Sequence, residues 1–296
     1  MRSDRASPRH VVDQLIEERA PRLLRRPTTG WLLRHLLYPH LGYHAAKAAI
    51  DRVHGLAGAA VMDFAAGEIA MQVRTLGASR LPTEGRVVLA VNHPTGLADG
   101  VALWRALSPL RPDLKILANQ DVLRIAPALA EVFIPVEWIK EKRRPATSRR
   151  VLADVVATLR REAAVTFFPS GRLAYLSWQG LVERPWQPAV VTMARRLEAP
   201  IVPVHIRARN SPLFYALSKL GQELRDITLF HELLNKRGRR FELTVGQPID
   251  PARLPADAGA AIRVLQHHVE HELPRASRTE PRPTGTASLG RGSDYG

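Results

Sequence analysis

The sequence predicts an α/β fold: a largely parallel sheet flanked by helices, preceded by a helical N-terminal segment that faces a membrane surface. Two observations point to the sheet. Short, almost continuous apolar runs such as Arg86–Val91 (RVVLAV) recur along the chain, and stretches with helical spacing separate them. A strand buried on both faces has no polar side to alternate with, so such runs joined by helices read as parallel strands and their crossovers. The third observation is the mixture of Trp31, Leu32, Leu33, Leu36, Leu37 and Tyr38 with Arg34 and His35 between Gly30 and His40. It suits a face where apolar side chains meet lipid and basic groups reach outward. The same stretch also fits a helix packed beside the main domain, and the two readings are compatible.

In chain order, Val11, Val12, Leu15 and Ile16 mark an amphipathic helix from Val11 to about Leu24, ended at or soon after Pro21, and a weaker helical stretch runs from Tyr43 to about Met71. Beyond Pro82 the alternation begins with strand Arg86–Val91, helix Leu97–Leu107, strand Leu114–Ala118, helix Gln120–Ala130 and strand Val132–Val136. Ser148 is placed to cap a helix with Val151, Leu152, Val155, Val156 and Leu159 on one face. Strand Val165–Phe168, helix Pro188–Leu197 and strand Ile201–Ile206 follow, then helix Leu213–Leu233, the alternating strand Arg239–Val245 and a last helix from Gly259 to Leu273. The end, Pro274–Gly296, carries too few apolar residues to offset the entropy of ordering and reads as a disordered tail. The expected organisation is a helical region and membrane-surface anchor over 1–82, an α/β domain over 83–273 and a tail over 274–296.

Composition narrows the chemistry. The chain has no cysteine, which excludes disulfides and thiolate catalysis, and a metal site would need His, Asp or Glu. No zinc pattern or P-loop is present, so neither a metal nor a permanently bound cofactor is expected. With 43 Lys plus Arg against 28 Asp plus Glu the formal charge is +15, which attracts lipid headgroups, phosphorylated cofactors or nucleic acid without choosing among them. Residues Met1–His10 form a polar run without the apolar core of a secretory signal, which favours the cytoplasm. The stretch Leu56–Ala66 is interrupted by Asp63 and falls short of the roughly 20 residues a spanning helix needs. A protein of this kind lies on a membrane rather than across it.

The segment Asn92-His93-Pro94-Thr95-Gly96-Leu97-Ala98-Asp99-Gly100 follows a buried strand and opens a helix. In parallel α/β sheets reacting groups gather at the carboxyl ends of strands. A histidine titrates near neutrality and can take a proton from an acceptor hydroxyl or amine and return one to a leaving group. Asp99 lies close enough to bond the second ring nitrogen, fix the tautomer and stabilise the developing imidazolium. Asn92 is placed to secure the turn through a backbone contact. A structural cap or polar brace is the alternative role for the His93 and Asp99 pair.

The string NHPTGLADG resembles the first signature of the glycerolipid acyltransferase superfamily, which includes phospholipid, lysophospholipid and ornithine-lipid acyltransferases. The usual block separates His from Asp by four residues; here five intervene, Pro94 to Ala98, as in an NHP-type bacterial subgroup. Phe168-Pro169-Ser170-Gly171-Arg172 resembles the phosphate-binding signature FPEGTR, with Ser170 where that signature has Glu and Arg172 one position early. Ser170 reads as a turn former, since no G-x-S-x-G elbow accompanies it. Phe133–Trp138 and the basic residues Lys140, Lys142, Arg143 and Arg144 occupy the place of the acceptor-binding block, without its specific arginine-bearing form; by charge alone that run is a solvated face. Pro200–His205 resembles the apolar fourth block, and Arg207, Arg209 and Asn210 resemble its continuation in the bacterial subgroup. The resemblance covers about Arg86 to Ser211.

The resemblance implies transfer of a fatty acyl group from acyl-CoA or acyl carrier protein to a lysolipid or related lipid hydroxyl or amine. His93 and Asp99 are the expected catalytic pair. Asn92, Thr95, Gly96, Arg143, Arg144, Ser170, Gly171 and Arg172 are the expected substrate-binding residues, and a backbone donor in the glycine turns would hold the oxyanion. The expected setting is a cytoplasmic protein, peripheral or monotopic on the inner face of the cell membrane. An acyl-thioester hydrolase is the enzymatic alternative. A noncatalytic basic membrane or nucleic-acid binding protein is the other, its nucleic-acid form weakened by the lack of a binding motif.

Overall fold

The computed structural model describes residues 9–137, 144–178 and 180–275. The described residues open with the helices α1 (Val11–Arg19), α2 (Pro21–Arg25), α3 (Pro27–Leu32), which runs on into a π-helical turn over Leu33–Leu37, α4 (Tyr43–Arg52) and α5 (Gly58–Ile69). The alternation then runs β1 (Gln72–Leu76), β2 (Val87–Val91), α6 (Leu97–Leu107), β3 (Lys115–Asn119), α7 (Asp121–Ile125), β4 (Phe133–Val136), α8 (Pro145–Arg160) and β5 (Ala164–Phe167). After a hairpin of β6 (Tyr175–Ser177) and β7 (Gly180–Val182) come α9 (Ala189–Arg196), β8 (Ile201–Arg207), α10 (Pro212–Leu220), α11 (Gln222–Asp226), α12 (Leu229–Leu234), β9 (Arg240–Val245) and α13 (Ala258–His267).

The main sheet has seven strands in the order β1-β9-β8-β2-β5-β3-β4. Among the described strands of this sheet β8 and β9 pair antiparallel and every other neighbouring pair is parallel. The sheet is thus mixed but largely parallel, with helices on both faces. Strand β2 sits at its centre, and all five of its residues are fully buried. Val87, Leu89 and Val91 pack on one face with α5 and α6, while Val88 and Ala90 pack on the other with α8, α9 and α13. This two-sided burial is the physical source of the unbroken apolar run, each large side chain contributing about 1.5–3 kcal/mol.

Where the elements depart from expectation, backbone chemistry accounts for most of it. The first helix stops at Arg19 and a new one starts with Pro21 in its first turn, since proline lacks the N–H that would continue the ladder. Ser148 does not cap α8. The helix begins earlier, at Pro145 with Arg144 as the extended N-cap, and the Ser148 N–H already bonds the Arg144 carbonyl at 3.1 Å. The stretch read as one helix from Leu213 to Leu233 is three short helices, interrupted at Gly221 and near Thr228. Strand β1, paired with β9 at the sheet edge, and the β6–β7 hairpin are additional: neither has the apolar run that marks a central strand, because both are half-exposed. Among the described residues no helix is long and apolar enough to cross a membrane.

The segment Gly30–His40 divides. Leu33 and Tyr38 point inward to a separate N-terminal core with Val12, Ile16, Ala20, Leu41 and Ile227, and Leu37 packs against it. Trp31, Leu32 and Leu36 remain about half exposed, beside exposed Arg22, Arg25 and Arg26. The tail from residue 276 onward lies outside the described residues.

Candidate active site

The site is built at the carboxyl ends of β2 and β5, where the chain leaves neighbouring central strands. After β2 it turns through His93–Gly96 into α6, packed on one face of the sheet; after β5 it turns through Phe168–Arg172 into the hairpin. The β2 turn depends on Gly96, whose φ of +88° lies in a region L side chains rarely adopt. An added Cβ there would meet Leu173 Cδ2 at 3.0 Å.

Asp99 stands in the first turn of α6, fully buried, and its carboxylate gathers the turn around it. Its Oδ2 accepts from His93 Nδ1, the Thr95 N–H and the Gly96 N–H, each at 2.9 Å, and the Thr95 hydroxyl donates to Oδ1. A carboxylate facing only donors holds the His93 proton on Nδ1 and leaves Nε2 as the free basic nitrogen. The imidazole keeps 19% of its side-chain surface exposed and stacks on Phe168, with ring centroids 4.1 Å apart. Phe168 therefore fixes the ring plane while Asp99 fixes its rotation.

Asn92 braces this turn from the other side. Its amide donates to the Ile206 carbonyl at 2.9 Å and accepts from the Ile206 N–H at 2.6 Å, tying the end of β2 to β8. Ser170 turns its hydroxyl back to the Arg172 carbonyl at 2.9 Å, as a turn former does. Gly171, at φ +60°, donates its N–H to the Phe168 carbonyl. The Thr95, Gly96 and Gly171 amides are thus all engaged within their turns. Arg172 is exposed, and so is Arg144 at the start of α8; Arg143 lies outside the described residues.

The sequence reading missed Glu183. From the return arm of the hairpin this buried carboxyl accepts from the His93 backbone N–H, and from Trp186 Nε1 at 2.6 Å. Burial, more than any other influence, pushes its pKa up to about 8. On the outgoing arm, the Ala174 N–H donates to the His93 carbonyl at 3.0 Å. A lone Glu between short half-buried strands carries no periodic signal that marks it. Nor did the sequence point to the buried Lys236, whose ammonium donates to Glu232 at 2.9 Å while Glu232 accepts from the Ser211 N–H at 2.8 Å. Burial pushes Glu232 up, but the Ser211 and Lys236 hydrogen bonds outweigh it and hold the carboxyl below its ordinary range.

Residues 72–207 match the Acyltransferase family. The chain is 28% identical over 197 residues to a lyso-glycine lipid O-acyltransferase of Phocaeicola vulgatus, covering 62% of this chain and 68% of that protein. A lyso-glycine lipid O-acyltransferase of Bacteroides thetaiotaomicron is 26% identical over the same length, 62% of this chain and 70% of its own. Among solved structures, the 1-acyl-sn-glycerophosphate acyltransferase PlsC of Thermotoga maritima overlaps 90% of this chain and 98% of its own, at a TM-score of 0.47 and 13% identity. The Acyltransferase match spans the strands and turns that carry His93 and Asp99, and both sequence relatives are named as lipid acyltransferases.

Proposed function

We propose that the protein transfers a fatty acyl group from acyl-CoA or acyl carrier protein to the hydroxyl of a lysolipid, with His93 as general base and Asp99 as the group that orients it. The observation that carries this reading is the 2.9 Å bond from His93 Nδ1 to a buried carboxylate at the end of the central strand. Nε2 takes the hydroxyl proton as the acceptor oxygen attacks the thioester carbonyl. The tetrahedral adduct then collapses, expelling the thiol, which receives the proton from the imidazolium. No residue carries the acyl group, which suits a chain without cysteine. Because the Thr95, Gly96 and Gly171 amides are engaged, the oxyanion takes its donors from groups other than these three. The names of the two sequence relatives favour an amino-acid-bearing lysolipid as acceptor. Arg172 and Arg144, both exposed cations, suit an anionic headgroup or the phosphates of the donor.

The half-exposed Trp31, Leu32 and Leu36 beside Arg22, Arg25 and Arg26 support a peripheral position on the inner face of the cell membrane, where acceptor and donor meet.

Acylation of a lysolipid panel that includes lyso-glycine lipid, followed by mass with acyl-CoA or acylated carrier protein as donor, tests the reading. Wild type should form diacylated product, and H93A should lose at least about 10³-fold in rate while remaining folded. Equal activity of the two removes the base. Free fatty acid without acylated acceptor assigns the protein to thioester hydrolysis instead.

A further inference from the structure

We propose that Glu183 is a positioning residue for His93, a carboxylate that holds the His93 peptide from the β6–β7 hairpin and sets the electrostatic potential at the imidazole. The proposal rests on the acyl-transfer reading above for its kinetic consequence, though not for its geometry. Both arms of the hairpin end on the backbone of the same residue: the Ala174 N–H on the His93 carbonyl and Glu183 on the His93 N–H, so the peptide units on either side of His93 are both held. Asp99 thus fixes the ring from the helix side while the hairpin fixes the backbone that carries it.

A purely structural partner for a backbone N–H need only be a neutral acceptor, and a buried carboxyl is a costly way to supply one. No Lys or Arg pairs with Glu183 among the described residues. The neighbouring Arg184 turns its guanidinium over the Tyr175 ring at 5.3 Å instead. The charged groups that act on Glu183 are the carboxylates of Asp99 and Glu270, which, like burial, favour its protonated form; the His93 and Trp186 N–H groups favour ionisation. Glu270 is itself engaged by Gln266 Nε2 at 2.6 Å, and Gln266 Oε1 accepts from the backbone N–H of Trp186 at 3.0 Å, which ties Glu270 to the residue whose indole donates to Glu183. Buried titratable groups without a countercharge, next to a reacting side chain, are where function outweighs stability. Ionised, Glu183 accepts both N–H groups fully and adds negative potential that favours the imidazolium forming during transfer. Protonated, it weakens that support.

The test uses the full chain as wild type, E183Q and W186F, with ring ¹⁵N spectra of His93 assigned by their loss in H93Q. In wild type the His93 ring should report an inflection near pH 8 that comes from Glu183. E183Q should lose that inflection. Above pH 8, where wild-type Glu183 is ionised, the kcat of E183Q for lysolipid acylation should fall about 10–100-fold below wild type, with KM within about twofold, and the difference should shrink below pH 8. W186F removes one donor that favours the ionised carboxyl, so it should move the inflection to higher pH. Circular dichroism confirms that each variant is folded, and W186F decides the matter if E183Q is not. A folded E183Q with wild-type kcat and an unchanged ring titration overturns the proposal, as does a W186F inflection that does not move. If wild type itself transfers no acyl group, the acyl-transfer reading fails while the ring titration still decides the role of Glu183.

Discussion

Asp99 makes, with one side chain, the contacts of two readings that the sequence leaves open as alternatives. As an acceptor for the Thr95 and Gly96 amides it caps α6, and as an acceptor for His93 Nδ1 it aims the imidazole. Cap and orienter are therefore one arrangement, and the five-residue spacing between His and Asp is taken up by the turn through Gly96. His205, on the neighbouring β8, is a contrasting histidine. Its ring is partly buried, the buried Nδ1 has no hydrogen-bond partner, and burial pushes its pKa down to about 4. A histidine kept neutral in the fold contributes stability that is fully present above its unfolded value near 6.5 and is lost as pH falls through 4. Thermal melts at pH 7 and pH 4 should show wild type losing on the order of 3 kcal/mol more than H205Q over that interval. Equal losses would remove His205 from the acid response.

At the scale of elements, the turn from β2 into α6 is the part least tolerant of change. G96A places a side chain at φ +88° and against Leu173 Cδ2 at 3.0 Å. The strain of such a backbone is about 1–3 kcal/mol, and relief requires the turn to shift, carrying Thr95 and Asp99 with it. The expected outcome is a folded protein with a lower denaturation midpoint and acyl transfer reduced by at least about tenfold, since small displacements of an aligned base are costly. Unchanged stability by chemical denaturation would show that the turn accommodates a Cβ. The hairpin is the second such element. Its strands are only three residues each, yet it meets His93 through both roots, so its importance comes from where it ends rather than from its own pairing.

For the whole molecule, the +15 charge and the divided N-terminal face lead to one prediction. Flotation with vesicles rich in anionic lipid should recover wild type and not the double variant W31E/L36E, and salt should weaken the association through screening. Equal recovery of both proteins would count against a role for this face. Substitutions at Leu33 and Leu37 are poor probes, because Leu33 is buried in the N-terminal core and Leu37 packs against it. The same division marks how far the sequence could be read. The central strands were legible because burial on both faces demands unbroken apolar runs, and β2 and α6 fall within one residue of expectation. The contact between His93 and Asp99 was legible because a strand, a tight turn and a helix start place them within reach by local geometry alone. What lay beyond the sequence depends on strand order. Glu183 reaches His93 across 90 residues and Asn92 reaches Ile206 across 114. Phe168 covers the imidazole because β5 lies beside β2. Local spacing thus decides which residues are able to do acid–base chemistry, whereas the order in which the strands assemble decides which distant groups surround them, because periodicity carries no information about neighbours across a sheet.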